Sequence, residues 1–153
     1  MVKYTLDQYV DAPRERVFAT ATDLRRAPEF MSGIQALEVL TEGPIRKGTR
    51  FRETRMMFKR PATVEMEITS FDPPRSYDVG CEDHGCVYAT RFRFEPKGSG
   101  TNVVLEWEAV PQTLVARVMG VIFAPMIKSC MKLLRKDLQD LGHAAEAKAR
   151  PAS

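Results

Sequence analysis

Cys81, His84 and Cys86 are the first group of residues in the sequence that could carry out chemistry. They fall within a stretch of six positions, and thiolate and imidazole are ligands that Zn²⁺ prefers. A structural zinc site needs four such ligands, and the remaining cysteine and histidine lie far along the chain. Residues 83–85 have the composition of a hairpin turn. We therefore predict a turn here, and neither a metal site nor another cofactor.

A second group is the charged pair Glu53 and Arg55 within the predicted strand Thr49–Phe58. Residues two apart on a strand point to the same face, so if Phe51 and Met57 point inward, both charges do too. Buried charges are costly unless they pair with each other or with a ligand. Glu53 would then be a candidate general base, and Arg55 could polarise a carbonyl. The alternative is a strand at a sheet edge with both faces partly wet.

The longest helical pattern runs from Thr113 to about Ala145, with apolar side chains at steps of three and four. The ten residues from Val118 to Ile127 carry no charge, so we expect this first half to be more buried than the second. Pro125 lies inside it and should bend the axis. Because a bilayer span needs about 20 apolar residues, we predict no transmembrane segment.

The rest of the chain is mainly strand. Tyr4–Val10 is followed by two short helical segments and then by Ile34–Leu40. Alternation along the later strands places apolar residues on one face and charged residues on the other. An α+β fold follows, in which a curved antiparallel sheet of about seven strands wraps around the C-terminal helix. The five later strands are Thr49–Phe58, Thr63–Phe71, Ser76–Asp83, Cys86–Glu95 and Thr101–Val110.

Length, charge and cysteine content indicate the number of domains, the class of partner and the compartment. A chain of 153 residues suits one domain, which we place at residues 1–145, with a frayed tail at 146–153. A net charge of +3 without a basic stripe excludes nucleic acid as an expected partner. The N-terminus lacks the apolar run of a secretory signal, and three cysteines suit reduced thiols. We predict a cytoplasmic protein, with a disulfide between Cys81 and Cys86 as the alternative in an oxidising compartment.

Several local motifs match a known superfamily. The opening segment Asp11–Phe18 with Thr22 and Asp23, and the hairpin segments Arg46–Arg52, Phe71–Arg75 and Gly98–Leu105, resemble the START-like (SRPBCC) helix-grip superfamily. That superfamily includes polyketide cyclases, lipid-transfer START domains and proteins of the birch-pollen allergen type. The resemblance covers Val2 to about Ala145. It implies a hydrophobic or aromatic molecule held between sheet and last helix, with cyclisation or dehydration in some members.

The expected function is therefore binding or transport of a small hydrophobic or amphipathic molecule such as a lipid, polyketide or aromatic compound. One alternative is a polyketide cyclase or dehydratase that uses Glu53 and Arg55. Another is an interaction module, or a homodimer, that uses the apolar half of the last helix. The predicted ligand-binding residues come from the sheet and from this helix: Phe51, Glu53, Arg55, Met66, Tyr77, Tyr88, Phe92, Trp107, Val118, Met119, Ile122 and Met126.

Overall fold

The structure is a computed structural model that describes residues 2–57 and 59–149. Its strands form one antiparallel sheet of seven, in the order β1-β7-β6-β5-β4-β3-β2. This arrangement confirms the predicted fold, a curved sheet with a long C-terminal helix. The strands are β1 (Val2–Val10), β2 (Ile34–Val39), β3 (Arg50–Met57), β4 (Arg60–Asp72), β5 (Ser76–Asp83), β6 (Cys86–Lys97) and β7 (Gly100–Pro111).

Short helices connect β1 to β2, as the sequence predicted. They are α1 (Arg14–Ala21), a 3-10 turn (Leu24–Arg26) and α2 (Ala27–Phe30). After β7 come α3 (Leu114–Ile122) and α4 (Ala124–Ala149). The last helix thus continues beyond the predicted end near residue 145, and the predicted fraying of residues 150–153 lies outside the described residues.

The core lies between the inner face of the sheet and the C-terminal half of α4. Phe94 and Leu105 of the sheet are almost fully buried, as are Leu138 and Leu141 of α4. Phe18 of α1 adds edge-on contacts to the aromatic rings of the sheet, including Phe94 at 5.3 Å between centroids. The second half of α4 is therefore the half that anchors the helix.

The outer face of the sheet carries the charges, as the alternation predicted. Arg91 lies 3.7 Å from a carboxylate oxygen of Asp78 and 3.8 Å from one of Glu108. Arg93 lies 3.3 Å from Glu106 on the neighbouring strand. Because the arginines of these pairs are 41% and 51% exposed, water screens the pairs and each contributes little to stability.

The predicted single C-terminal helix is in fact two helices with a bend of 75° between them. The backbone N–H of Phe123 closes α3 by donating to Met119. Pro125 follows in the first turn of α4, where its missing N–H has no intrahelical partner to lose. The bend turns the apolar segment away from the sheet, so the expectation that this half would be more buried is wrong. Leu114 is 76% exposed and Val121 is 79% exposed.

Candidate functional site

An apolar cavity separates the inner face of the sheet from α4. It consists of two adjoining pockets of about 320 Å³ and about 230 Å³. Small-molecule sites commonly measure about 300–1,000 Å³, so the interior can accept a molecule much larger than water. The residues that line both pockets are Glu53, Arg55, Met66, Val79, Thr90, Trp107 and Leu134.

All eight ligand-binding residues predicted on the sheet line this cavity. Tyr88 lines the larger pocket, and Phe51, Tyr77 and Phe92 line the smaller one. The rings of Tyr77 and Phe92 stack at 4.6 Å with an angle of 6° between their planes. Tyr88 packs at 5.8 Å from Trp107. The sheet therefore gives the cavity a largely aromatic wall.

The four residues predicted on the helix do not line the cavity. Val118, Met119 and Ile122 lie on α3, and Met126 lies in the first turn of α4; all four are exposed. The bend after α3 carries them away from the sheet. The helical wall comes instead from the middle of α4, namely from Cys130, Met131, Leu133, Leu134, Asp137, Leu138 and Leu141.

Glu53, Arg55 and Asp137 form a charged cluster where the two pockets meet. Arg55 donates from Nη1 and Nη2 to the carboxylate of Asp137, at 3.0 and 2.7 Å. Its Nε and Nη2 donate to Glu53 at 3.1 and 3.3 Å. The side chains of Arg55, Glu53 and Asp137 are 18%, 15% and 10% exposed. Four hydrogen bonds thus fix the guanidinium plane, and one Nη1 proton is left for a further acceptor.

The position of β3 explains why this cluster is buried. The strand lies between β4 and β2 and is not an edge of the sheet, so the edge-strand alternative is wrong. Phe51 is buried on the same face as Glu53 and Arg55. The inward-facing interpretation of this strand is confirmed.

Asp137 was missed by the sequence analysis, although the sequence holds a signal for it. It lies three residues after Leu134 and four before Leu141, and therefore falls on the apolar stripe of α4. A carboxylate on that stripe must pair with a buried cation. Arg55 is that cation.

Burial and the ion pairs shift the pKa values of the cluster. Desolvation raises the pKa of Asp137, and this effect exceeds the lowering by the hydrogen bond and charge of Arg55. Burial alone would lower the pKa of Arg55. Its hydrogen bond to Asp137 and the charge of Glu53 outweigh this effect, so its pKa lies above the ordinary value. Desolvation also raises the pKa of Tyr77, with added repulsion from Glu53 and Asp137. At neutral pH Arg55 is therefore charged and Tyr77 keeps its proton.

The cysteines are free thiols in this structure. Cys81 and Cys130 line the larger pocket, and burial raises the pKa of each, which disfavours the reactive thiolate. His84 lies in the predicted turn between β5 and β6. Among residues 2–57 and 59–149, no group of three or more His, Cys, Asp or Glu side chains is placed to hold a metal ion.

A sequence model of one protein family matches residues 1–146, and that family is described as polyketide cyclase / dehydrase and lipid transport. The chain belongs to this family. The match covers the whole sheet and nearly all of α4, and it confirms the superfamily resemblance. No curated protein sequence matches the chain significantly.

Solved structures similar to this member of the family agree on the fold. The Zhui aromatase/cyclase from Streptomyces sp. R1128 superposes with a TM-score of 0.81 at 16% identity, covering 99% of this chain and 98% of its own. TTHA0849 from Thermus thermophilus gives 0.80 at 21% identity, with 97% and 100% coverage. Ara h 8.0201 gives 0.73 at 12% identity, with 95% and 98% coverage. At these identities the likeness establishes the helix-grip fold alone.

Proposed function

We propose that the protein binds a small, uncharged molecule with an aromatic or aliphatic body and a carbonyl or hydroxyl oxygen. The observation that carries this proposal is an apolar cavity whose charged cluster leaves one Arg55 proton unused. The aromatic wall offers faces on which a planar ligand could stack. The phenol of Tyr77 makes no hydrogen bond to another described residue, so it is a second donor for the ligand.

The charges of the cluster favour a neutral ligand over an anionic one. Two carboxylates face one guanidinium, so the cluster carries a net negative charge when both are ionised. An anion would lose its hydration and meet this charge in a low dielectric. A ketone or phenol oxygen needs only a hydrogen bond, which Arg55 or Tyr77 supplies.

Trp107 provides the test, because it is the only tryptophan of the chain and lines both pockets. We would titrate the protein with the neutral dye N-phenylnaphthylamine while following Trp107 emission, and identify co-purified molecules by solvent extraction and mass spectrometry. Thr90→Phe fills the space shared by the pockets. Thr69→Phe adds the same ring at an exposed position of β4 and serves as the matched control.

Saturable binding by the wild type and Thr69→Phe, with at least a tenfold loss in Thr90→Phe, supports the proposal. That loss corresponds to about 1.4 kcal/mol. Equal affinity of the two variants would show that the dye binds outside the cavity. No saturable binding together with no co-purified ligand would overturn the proposal.

A second candidate function is catalysis of an aldol-type cyclisation followed by loss of water. The Glu53–Arg55–Asp137 cluster favours it, because Arg55 can stabilise an enolate oxygen while a carboxylate accepts the α-proton. A new carbon–carbon bond then forms as the enolate carbon attacks a second carbonyl carbon. The π bond of that carbonyl opens to an alkoxide, which takes up the proton that the carboxylate removed. The carboxylate then removes the remaining α-proton, while Asp137, whose pKa burial raises, protonates the hydroxyl. The C–O bond breaks and a C=C bond forms as water leaves.

A β-hydroxy ketone tests this second function through the absorbance of the enone that dehydration forms. Catalysis predicts turnover by the wild type, and a loss of about 100-fold or more in Asp137→Asn with dye affinity retained. No turnover above the uncatalysed rate, or equal turnover by the variant, would reject it. The cytoplasmic location and the homodimer stay predictions, for cell fractionation and sedimentation to test.

A further inference from the structure

The surface of α3 and its junction with α4 is apolar, and no other part of the chain that the structure describes buries it. Eight large apolar side chains are exposed here, which we call the apolar helix surface. Those on α3 fall within about 160° of the helix circumference, with Arg117 and Gly120 on the other side, so they form one broad apolar face that no described part of the sheet buries. Continuous exposed apolar surface of this kind marks a contact site. Its residues are Leu114, Val115, Val118, Met119, Val121, Ile122, Phe123 and Met126.

The charge around this surface has a single sign. Residues 109–136 contain no Asp or Glu. Two of the basic residues in this stretch have partners within the protein: Arg135 donates to the carbonyl of Asp7, and Lys136 pairs with Asp140. The other three, Arg117, Lys128 and Lys132, are exposed. An apolar surface flanked by exposed cations is complementary to an anionic lipid surface.

The same end of the sheet presents a second apolar and basic element. In the strand register, Met57 lies opposite Arg60, and Cys86 lies opposite both Asp83 and Pro111. The β3–β4 turn, the β5–β6 turn and the start of α3 therefore lie at one end of the sheet. Met56, Lys59 and Arg60 are exposed there. Glu82 and Asp83 at the end of β5 are exposed acidic residues at this same end of the sheet, which a lipid surface would also meet.

The bend between α3 and α4 fits a helix that lies on a membrane better than one that crosses it. No single helix among the described residues is long and apolar enough to span a membrane, although α3 and the start of α4 meet that criterion as a bent pair. The bend of 75° prevents a straight span. Leu138 and Leu141 hold the second half of α4 in the core, so only α3 and the first turns of α4 are free to enter a lipid interface.

We propose that α3 docks the protein on the surface of an anionic lipid bilayer, with the helix lying in the interface. Arg117, Lys128 and Lys132 would contact the headgroups while the apolar helix surface enters the acyl boundary. A second copy of the chain is the less favoured occupant, because a two-fold contact would bring these cations together without an acid from residues 109–136 to pair with them. The docking surface lies outside the cavity and does not depend on its ligand.

Vesicle co-sedimentation tests the proposal with the full chain. We would compare phosphatidylcholine vesicles with vesicles that contain about 25% phosphatidylglycerol, at low and at high salt. Val121→Glu removes an apolar contact at a site so exposed that folding should be unaffected, as circular dichroism would check. Gln139→Glu makes the same change of charge on the exposed side of α4, away from α3, and is the matched control.

We expect binding to the anionic vesicles that weakens with salt. Val121→Glu should lower it by about tenfold or more, the value of burying one valine side chain, and Gln139→Glu should not. Arg117→Gln should lower it by about fivefold on the anionic vesicles alone. Dye binding in the cavity should be unchanged in Val121→Glu, so a failed cavity proposal and a failed docking proposal give different results.

Three results would overturn the inference. One is that the wild type fails to sediment with either vesicle. Another is that Val121→Glu and Gln139→Glu bind equally well. The third is a concentration-dependent dimer in sedimentation that Val121→Glu abolishes, which would assign the surface to a second copy of the chain.

Discussion

Replacing Arg55 by methionine should destabilise the protein far more than the same change on the outer face. Arg55→Met keeps most of the side-chain volume but removes four hydrogen bonds to Glu53 and Asp137. Two largely buried carboxylates then face each other without a cation. Breaking a buried pair costs about 3–5 kcal/mol. Because the cavity leaves the cluster partly solvated, and Asp137, whose pKa burial raises, can take up a proton, we expect about 3 kcal/mol at neutral pH.

The loss of stability in Arg55→Met should become smaller as the pH is lowered. The pKa of Asp137 is already raised by desolvation, and Arg55 is the group that holds it down. In Arg55→Met that pKa rises further, so the folded protein binds a proton that the unfolded chain releases. The loss of stability is therefore present above the folded pKa, and it diminishes as the pH falls through that pKa towards the unfolded value.

Urea unfolding at about pH 7 and about pH 5, followed by Trp107 emission and circular dichroism, measures both effects. Arg91→Met is the matched control, because Arg91 also faces two carboxylates, Asp78 and Glu108, but at 3.7 and 3.8 Å on the wet face. It should cost less than about 0.5 kcal/mol. Adding Asp137→Leu to Arg55→Met should restore about 2 kcal/mol.

A loss of stability in Arg55→Met no larger than that in Arg91→Met would contradict the prediction. An equal loss in Arg55→Met at both pH values would also contradict it, because the buried carboxylates would then not be the cause.

The remaining predictions concern helix stability, a helix anchor and the thiols. Gly120→Ala should stabilise α3 by about 0.5–1 kcal/mol, measured by thermal unfolding, because a methyl group there meets open space; a lower melting temperature would contradict this. Ser32→Ala should cost about 1 kcal/mol in urea, since it removes the 2.9 Å hydrogen bond that the hydroxyl donates to Asp140. The hydrogen bonds from Ser32 and Lys136 outweigh desolvation and lower the pKa of Asp140. The stability that these contacts contribute should therefore be present at neutral pH and be lost as the pH falls through that lowered pKa. An acid-unfolding transition at the same pH in Ser32→Ala and the wild type would contradict this. Because burial raises the pKa of Cys81 and Cys130, both should react slowly with a maleimide at neutral pH and faster as the pH rises. A dye bound in the cavity should protect both thiols. Unchanged labelling in saturating dye would show that the dye binds elsewhere.

Most of the sheet could be predicted from the sequence because its strands obey a strict alternation. Val103, Leu105 and Ala109 point inward and are buried, whereas Glu106 and Glu108 pair with arginines on the outer face. This regularity follows from strand geometry, in which neighbouring side chains take opposite faces. The predicted cavity residues Met66, Tyr88, Phe92 and Trp107 followed from the same rule. Phe51, Glu53 and Arg55 depended instead on the inward-facing interpretation of β3, which alternation alone left open.

The helix was harder to predict, because periodicity shows which residues share a face but not what covers that face. An apolar segment such as Val118–Ile127 looks the same whether it packs in a core or points into a contact surface. Pro125 signalled the bend but not its size or direction. The position of Asp137 on the apolar stripe signals a buried carboxylate, but only the fold shows that its partner is Arg55.

Gly33, in the loop between α2 and β2, leaves room for the charged cluster because it has no side chain. A β-carbon at this position would lie 2.9 Å from Nη1 of Arg55 and 3.5 Å from a carboxylate oxygen of Asp137. The guanidinium is held on two sides by hydrogen bonds, so it could not swing aside without giving up one of them. A single methyl group at Gly33 would therefore displace the guanidinium of Arg55. It would change which N–H group of Arg55 faces a bound molecule, although Gly33 itself does not line either pocket.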